Sequence, residues 1–222
     1  MILTEKVHGT FDYLEARPDG FDGGRKYPAI IFLHGAGSRG RDVSVLKMNA
    51  LFREIDQNMD CLIFAPQCYA FTWFDIFEQL REFILFCREQ PCVDPERFYL
   101  MGTSLGGYAT WQMAESMPEI FAAAVPICGG GIEALAYRLK SVPVWAFHGA
   151  DDDVVSAEHS KTMVEAINRR GGNARLTLRE GVQHNVWDYA YTHRELFDWL
   201  FAQKLQKSEQ TETQFASPEK FG

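Results

Sequence analysis

Short apolar runs bounded by turn residues alternate along this chain with segments whose apolar residues recur at helical spacing. The runs are Ala29-Ile-Ile-Phe-Leu33, Cys61-Leu-Ile-Phe-Ala65, Phe98-Tyr-Leu-Met101, Ala122-Ala-Ala-Val125 and Val142-Pro-Val-Trp-Ala-Phe147, with Leu176-Thr-Leu178 as a shorter candidate. Near-continuous apolar runs fit strands covered on both faces rather than half-solvated ones. Between them, Phe77, Leu80, Phe83, Ile84 and Cys87 have helical spacing, as do Leu105, Tyr108, Ala109, Trp111 and Gln112. Met163, Val164 and Ile167 form a third such face, stopped by Gly171-Gly172, and a last helix is expected from near Trp187 through Leu196, Phe197, Trp199 and Leu200. Strand–helix alternation predicts an α/β fold with a mostly parallel, doubly wound sheet and helices on both faces. Residues 7 to 17 are expected to add one antiparallel strand at an edge, with Pro18 to Gly24 as the following turn.

The length of 222 residues predicts one domain, taken as 1–203, followed by a polar, disordered tail over 204–222. The balance of 22 Lys and Arg against 30 Asp and Glu leaves a net charge of −8, which argues against a nucleic-acid partner. No apolar run reaches the length of about eighteen residues that a membrane span needs, so no membrane partner is expected. The first residues show no basic segment followed by an apolar one, and a cytoplasmic location is the expectation. The five cysteines, an odd number without a C-x-x-C pair, read as reduced thiols; Cys87 and Cys92 are the one pair weighed as a disulfide.

In a sheet of this kind, the loops at the carboxyl ends of the strands build the site. After Met101 comes Gly102-Thr-Ser-Leu-Gly106, a G-x-S-x-G pattern between a strand and a helix. The pattern alone is weak. Its setting is that of a nucleophile elbow, which would lift Ser104 above the sheet at a helix N-terminus. A serine hydroxyl needs a base within hydrogen-bond reach, and the base needs an orienting acid. Beyond Phe147 the chain reads His148-Gly-Ala-Asp-Asp-Asp-Val-Val155, an acid-rich turn after a strand. Beyond Leu178 it reads Glu180-Gly-Val-Gln-His-Asn-Val-Trp187. The order serine, acid, histidine makes His184 the expected base. His8, His159 and His193 have no such placement, and His34 and His148 are expected to end buried strands and bond to nearby backbone. The acid is left open among Asp151, Asp152 and Asp153. For an oxyanion, the expected donors are the amides of Leu105 and of Ala36 in His34-Gly-Ala-Gly37.

Together, Phe32-Leu-His-Gly-Ala-Gly37, Ala65-Pro-Gln-Cys68, Gly102-Thr-Ser-Leu-Gly-Gly-Tyr108, Pro126-Ile-Cys-Gly-Gly-Gly131, Trp145-Ala-Phe-His-Gly149 and His184-Asn-Val-Trp187 resemble the α/β-hydrolase serine esterases related to phospholipase/carboxylesterase proteins and dienelactone hydrolases. That group is also described as predicted peptidases of the prolyl oligopeptidase family. The resemblance spans residues 7 to 202 and implies the α/β-hydrolase fold and a serine triad. It implies Asp152 as the acid, the third residue after the His-Gly pair. The family usually continues with Pro-Val-Val, whereas this chain has Asp153-Val-Val155. Dienelactone hydrolases proper use a cysteine nucleophile, so Ser104 departs from that activity.

Little chain is left for a lid, which points to small or exposed ester substrates. Trp73, Trp187 and Cys128 are expected to rim the site as an apolar wall, with Trp111 and Tyr108 in the core. No cofactor or metal is expected: Asp151 to Asp153 lack the spacing of a calcium loop, and no phosphate-binding glycine loop is present. The expected function is hydrolysis of short-chain or small aryl and alkyl carboxylic esters through an acyl-enzyme. A small-peptide hydrolase, an acyl thioesterase and a catalytically silent binding module are the competing readings. The sequence does not speak to oligomeric state.

Overall fold

The computed structural model describes residues 1–54 and 59–206. The expected tail lies outside the described residues from position 207 onward. The part that is described stays on the body: Leu205 packs half-buried and its amide donates to Glu96 O at 2.8 Å.

The elements run β1 (Ile2–His8), β2 (Phe11–Arg17), β3 (Tyr27–Leu33), α1 (Ala50–Glu54), β4 (Leu62–Pro66), α2 (Phe77–Arg88), β5 (Val93–Thr103), α3 (Leu105–Ser116), β6 (Ala123–Ile127), β7 (Val144–Gly149), α4 (Glu158–Arg169), β8 (Ala174–Arg179), α5 (Trp187–Thr192) and α6 (Arg194–Ala202). They build one eight-stranded sheet in the order β1-β2-β4-β3-β5-β6-β7-β8. The pairs from β4 through β8 are parallel, and β2 joins β4 and β1 antiparallel. This is the α/β-hydrolase fold.

The apolar runs are strands because both sheet faces are covered. Alternate residues of one strand enter two different cores. Ile31, Leu33, Leu62, Phe64 and Leu100 face α2, α3 and α4, whose Leu80, Phe83, Trp111, Met163 and Ile167 cover them. Ile30, Phe32, Ile63, Tyr99 and Met101 face α1, α5 and α6, covered by Leu51, Tyr191, Leu196 and Leu200. All five cysteines are free thiols.

Two expectations need correction. The single edge strand over 7–17 is a two-stranded hairpin, reversed at Gly9, whose φ of +57° suits a residue without a side chain. The inner strand β2 is not an edge, since its register runs Tyr13 to Pro66 and Ala16 to Ile63 along β4. The last helix is also interrupted. His193 (φ −77°, ψ 94°) breaks it into α5 and α6, so the residue expected inside a helix caps the second piece.

What places the site is the jamming of α3 against neighbouring strand ends. A Cβ added at Gly106 would lie 1.9 Å from Leu33 O, and one at Gly102 would lie 2.4 Å from Gly106 O. His34, just past β3, is fully buried and ties two strand ends together. Its Nδ1–H donates to Gly35 O (2.7 Å), and its Nε2 accepts the amide N–H of Cys68 (2.9 Å). Nε2 therefore has to stay unprotonated, and burial holds the ring at a pKa of about 4.

Gly106→Ala is expected to cost about 3 kcal/mol or more, because backbone rather than a flexible side chain blocks the new methyl. Gly20→Ala, with nothing within 4 Å, should stay within about 0.5 kcal/mol in the same denaturant titration. For His34, the unfolded chain binds a proton near pH 6.5 that the folded chain refuses until about pH 4. Its contribution to stability is complete above pH 6.5 and drains away as the pH falls toward 4. In His34→Gln, which has no proton to gain, denaturation midpoints should fall less steeply across that window.

Candidate active site

Ser104 follows β5 and precedes α3 with φ 54° and ψ −115°, a conformation that side-chain-bearing residues rarely adopt. The strain is held by the packing at Gly102 and Gly106 and by the Ser104 amide, which donates to Ile127 O at 2.9 Å. The turn leaves the Ser104 side chain half-buried at the carboxyl edge of the sheet.

His184 comes from the loop after β8. Its Nε2 accepts from the Ser104 hydroxyl at 2.8 Å, and its Nδ1–H donates to Asp152 Oδ2 at 2.8 Å. The carboxylate can only accept, so the proton sits on Nδ1 and leaves Nε2 as the acceptor. The loop that carries His184 lies directly on the loop that carries Asp152. A Cβ at Gly149 would stand 2.1 Å from Gln183 O, and Asp151 N–H donates to Val182 O at 3.1 Å.

Of the three consecutive acids, Asp152 meets His184. Its side chain is 0% exposed. Oδ1 accepts the amides of Val154 (2.9 Å) and Val155 (2.8 Å). Burial alone would push its carboxyl up, but the Val155 and Val154 amides and the His184 ring outweigh it and hold the pKa below the ordinary carboxylate value. Asp151 turns the other way and accepts the Gly181 amide at 2.9 Å, which also binds the two loops together. Asp153 is exposed.

Oδ2 of Asp152 has a second neighbour. Nε2 of His148, a fully buried residue at the end of β7, lies 3.2 Å away. The same Nε2–H donates to Val155 O (2.9 Å), and Nδ1 contacts Ser160 Oγ at 2.7 Å. The bond to backbone was expected; the contact with the acid was not.

Ala36 opens a short 3-10 turn (Ala36–Ser38) and Leu105 opens α3. The amides at such positions have no partner within their own helices and are available to a ligand. The first of these loops runs beside the serine, since a Cβ at Gly35 would come within 3.5 Å of Ser104 Cβ. Trp73 underpins it: its indole Nε1–H donates to His34 O at 3.1 Å.

A cavity of about 430 Å³ opens over this arrangement. Gly35, Ala36, Ser104, His184 and Trp187 line it, with Val154, Tyr191 and Asn49 among the further contributors. Trp187 stands edge-on to His184, with ring centroids 5.4 Å apart, so of the three expected rim residues this one reaches the cavity. Trp73 and Cys128 do not. Trp73 is fully buried beneath the Ala36 loop, drawn there by its bond to His34. Cys128 is fully buried at the end of β6, with φ 42°, and burial pushes its thiol far above the usual range. Val154 could have been found from its place beside the acid; Asn49 and Tyr191 carry no signal of their own in the sequence.

Cys128 Sγ, an Asp152 oxygen and a His184 nitrogen lie within 4.8 Å of one another, the spacing of a metal site. Both His184 nitrogens and both Asp152 oxygens are already engaged in the contacts above. No helix among the described residues is long and apolar enough to cross a membrane.

Known proteins resemble this chain at several levels. A crystal structure of a thermostable esterase is 32% identical with a TM-score of 0.76, covering 91% of this chain and 63% of that one. Esterase 2 of Thermogutta terrifontis, phosphoramylated by tabun, is 16% identical with a TM-score of 0.69, covering 89% of this chain and 93% of that one; it shares the fold. A curated non-reducing polyketide synthase, Preu3 of Preussia isomera, is 36% identical over 28% of this chain, which spans only 3% of that much longer protein. The Dienelactone hydrolase family matches residues 67–194. With more than half of its length matched in this way, the chain belongs to the dienelactone hydrolase family.

Proposed function

We propose that this protein is a serine hydrolase that cleaves small carboxylic esters through an acyl-enzyme. The observation that carries the reading is the unbroken chain of hydrogen bonds from Ser104 Oγ through His184 to Asp152, opening into a cavity. In the first step, His184 Nε2 takes the Ser104 proton as Oγ bonds to the ester carbonyl carbon. The charge that develops on the carbonyl oxygen is met by the amides of Ala36 and Leu105. Collapse of the tetrahedral species breaks the bond to the alkoxy oxygen, which takes the proton from His184 and leaves as the alcohol. Water then repeats the sequence on the acyl-enzyme: His184 accepts its proton, and Ser104 leaves with that proton restored. Asp152 keeps Nδ1 protonated and offsets the imidazolium charge in each half.

The cavity supports an ester reading. Among the described residues that line it there is no Asp, Glu, Lys or Arg, which favours uncharged groups on both sides of the scissile bond. About 430 Å³ suits short acyl chains or a single ring rather than a long lipid tail. The likeness to a thermostable esterase points the same way.

Ser104→Ala is expected to lower kcat on p-nitrophenyl acetate by on the order of 10⁴-fold and to abolish labelling by a fluorophosphonate probe. Near-normal turnover in that variant would sink the assignment. Asp152→Asn, which permits the wrong His184 tautomer, should lose about 10³-fold or more in kcat with the fold intact by circular dichroism. Across p-nitrophenyl esters from acetyl to dodecanoyl, kcat/KM should fall steeply beyond short chains. A maximum at dodecanoyl, or a preference for matched peptide anilides, would replace the small-ester reading.

A further inference from the structure

His148 has no part in the proton transfers above, yet it is buried against the residue that governs them. Its side chain is 0% exposed and sits 3.2 Å from Asp152 Oδ2, the oxygen that also accepts from His184. Val155 O, 2.9 Å from His148 Nε2, can only accept, so Nε2 carries a proton. Burial works against a second proton and draws the ring's pKa below its ordinary value. Nδ1 faces the Ser160 hydroxyl of α4 at 2.7 Å, and that hydroxyl also lies 3.2 Å from Gly129 O. Val155 O therefore sets the tautomer by taking the one N–H, and Asp152 Oδ2 lies 3.2 Å from the same nitrogen.

We propose that His148 is a positioning residue for the acid of the triad: its Nε2–H is a second donor to Asp152 Oδ2, fixing that oxygen for His184 and sharing its charge. This rests on the acyl-transfer reading above. The need for such a donor follows from the geometry. The Val154 and Val155 amides hold Oδ1, so without His148 the oxygen that faces the base would have His184 as its single partner among the described residues. Among the described residues, the groups that face the pair are few. Across the sheet end, His184 faces His148 through Asp152; Ser160 is the partner from α4; Cys128 from β6 and Tyr108 from α3 face Asp152 as neutral groups whose titration is pushed upward by burial. Removing the donor leaves more charge on Oδ2, which favours the His184 imidazolium and makes it slower to release its proton.

The test compares His148→Met, which fills the space without a donor, with His148→Gln, whose side-chain amide can return an N–H near the Nε2 position. Both are measured in the full chain after their thermal transitions confirm folding. His148→Met is expected to lower kcat by about tenfold with KM within about twofold, and Gln to recover most of the loss. The acid limb of kcat/KM should move up by about half a pH unit in Met and return in Gln. In the free enzyme, the low-field proton resonance of the His184–Asp152 hydrogen bond should shift in Met and be restored in Gln, a readout that needs no turnover. A resonance and an acid limb that stay in place in a folded Met variant, a limb that moves down, or a folded Gln variant no better than Met would overturn the proposal. Failure of the acyl-transfer reading itself would appear separately, as turnover persisting in Ser104→Ala.

Discussion

The architecture of the site rests on a steric condition: the start of α3 must lie almost in contact with three strand ends at once. Gly106 touches the end of β3, Gly102 leaves room for Gly106, and Gly107 packs on Gly129 just past β6, where an added Cβ would come within 2.4 Å of Gly107 C. At each of these places a methyl group would collide with backbone. The close approach tightens the strand-to-helix turn, and the turn forces Ser104 into its unusual φ. A strained residue of this kind persists only where the surroundings leave it no alternative. The same contact brings the Ala36 loop beside Ser104, so that loop and the serine are positioned by one set of missing side chains.

A second condition acts at the far side of the cavity. The Asp152 side chain is fully buried, yet it accepts from the Val154 and Val155 amides and from His184, with the His148 ring 3.2 Å away. A carboxylate without those donors would be expensive to bury and would take up a proton. The turn after β7 therefore does two things at once. It makes the buried anion tolerable, and it aims that anion at the loop after β8.

Much of this is legible in the sequence, for reasons that particular residues make clear. The central strands show as apolar runs because both of their faces are covered, and Gly102-Thr-Ser-Leu-Gly106 between a strand and a helix marks a tight turn because side chains at its two glycines would collide with backbone. The hairpin partner β1 is not legible: most of its residues are exposed, so nothing in Ile2–His8 demands an apolar period. The break at His193 escapes notice because Leu196, Phe197 and Leu200 continue the apolar face across it. Trp73 was misplaced because an indole after a strand fits a rim and a floor equally well; its bond to a carbonyl 39 residues earlier decides the matter. The run Asp151-Asp-Asp153 carries no internal clue to direction either. The direction comes from Gly181 N–H, which draws the first of the three aside, and from the two amides that follow the second.

The seating of Gly149 against Gln183 and Val182 means that the turns after β7 and β8 share one footing. Local fraying that lifted one turn would carry the other with it, separating acid and base from the nucleophile together. Heat inactivation should then proceed as a single cooperative event, without a partly active species in which only one of the two has come loose. An engineer moving this dyad to another scaffold would likewise have to transplant both turns as one piece.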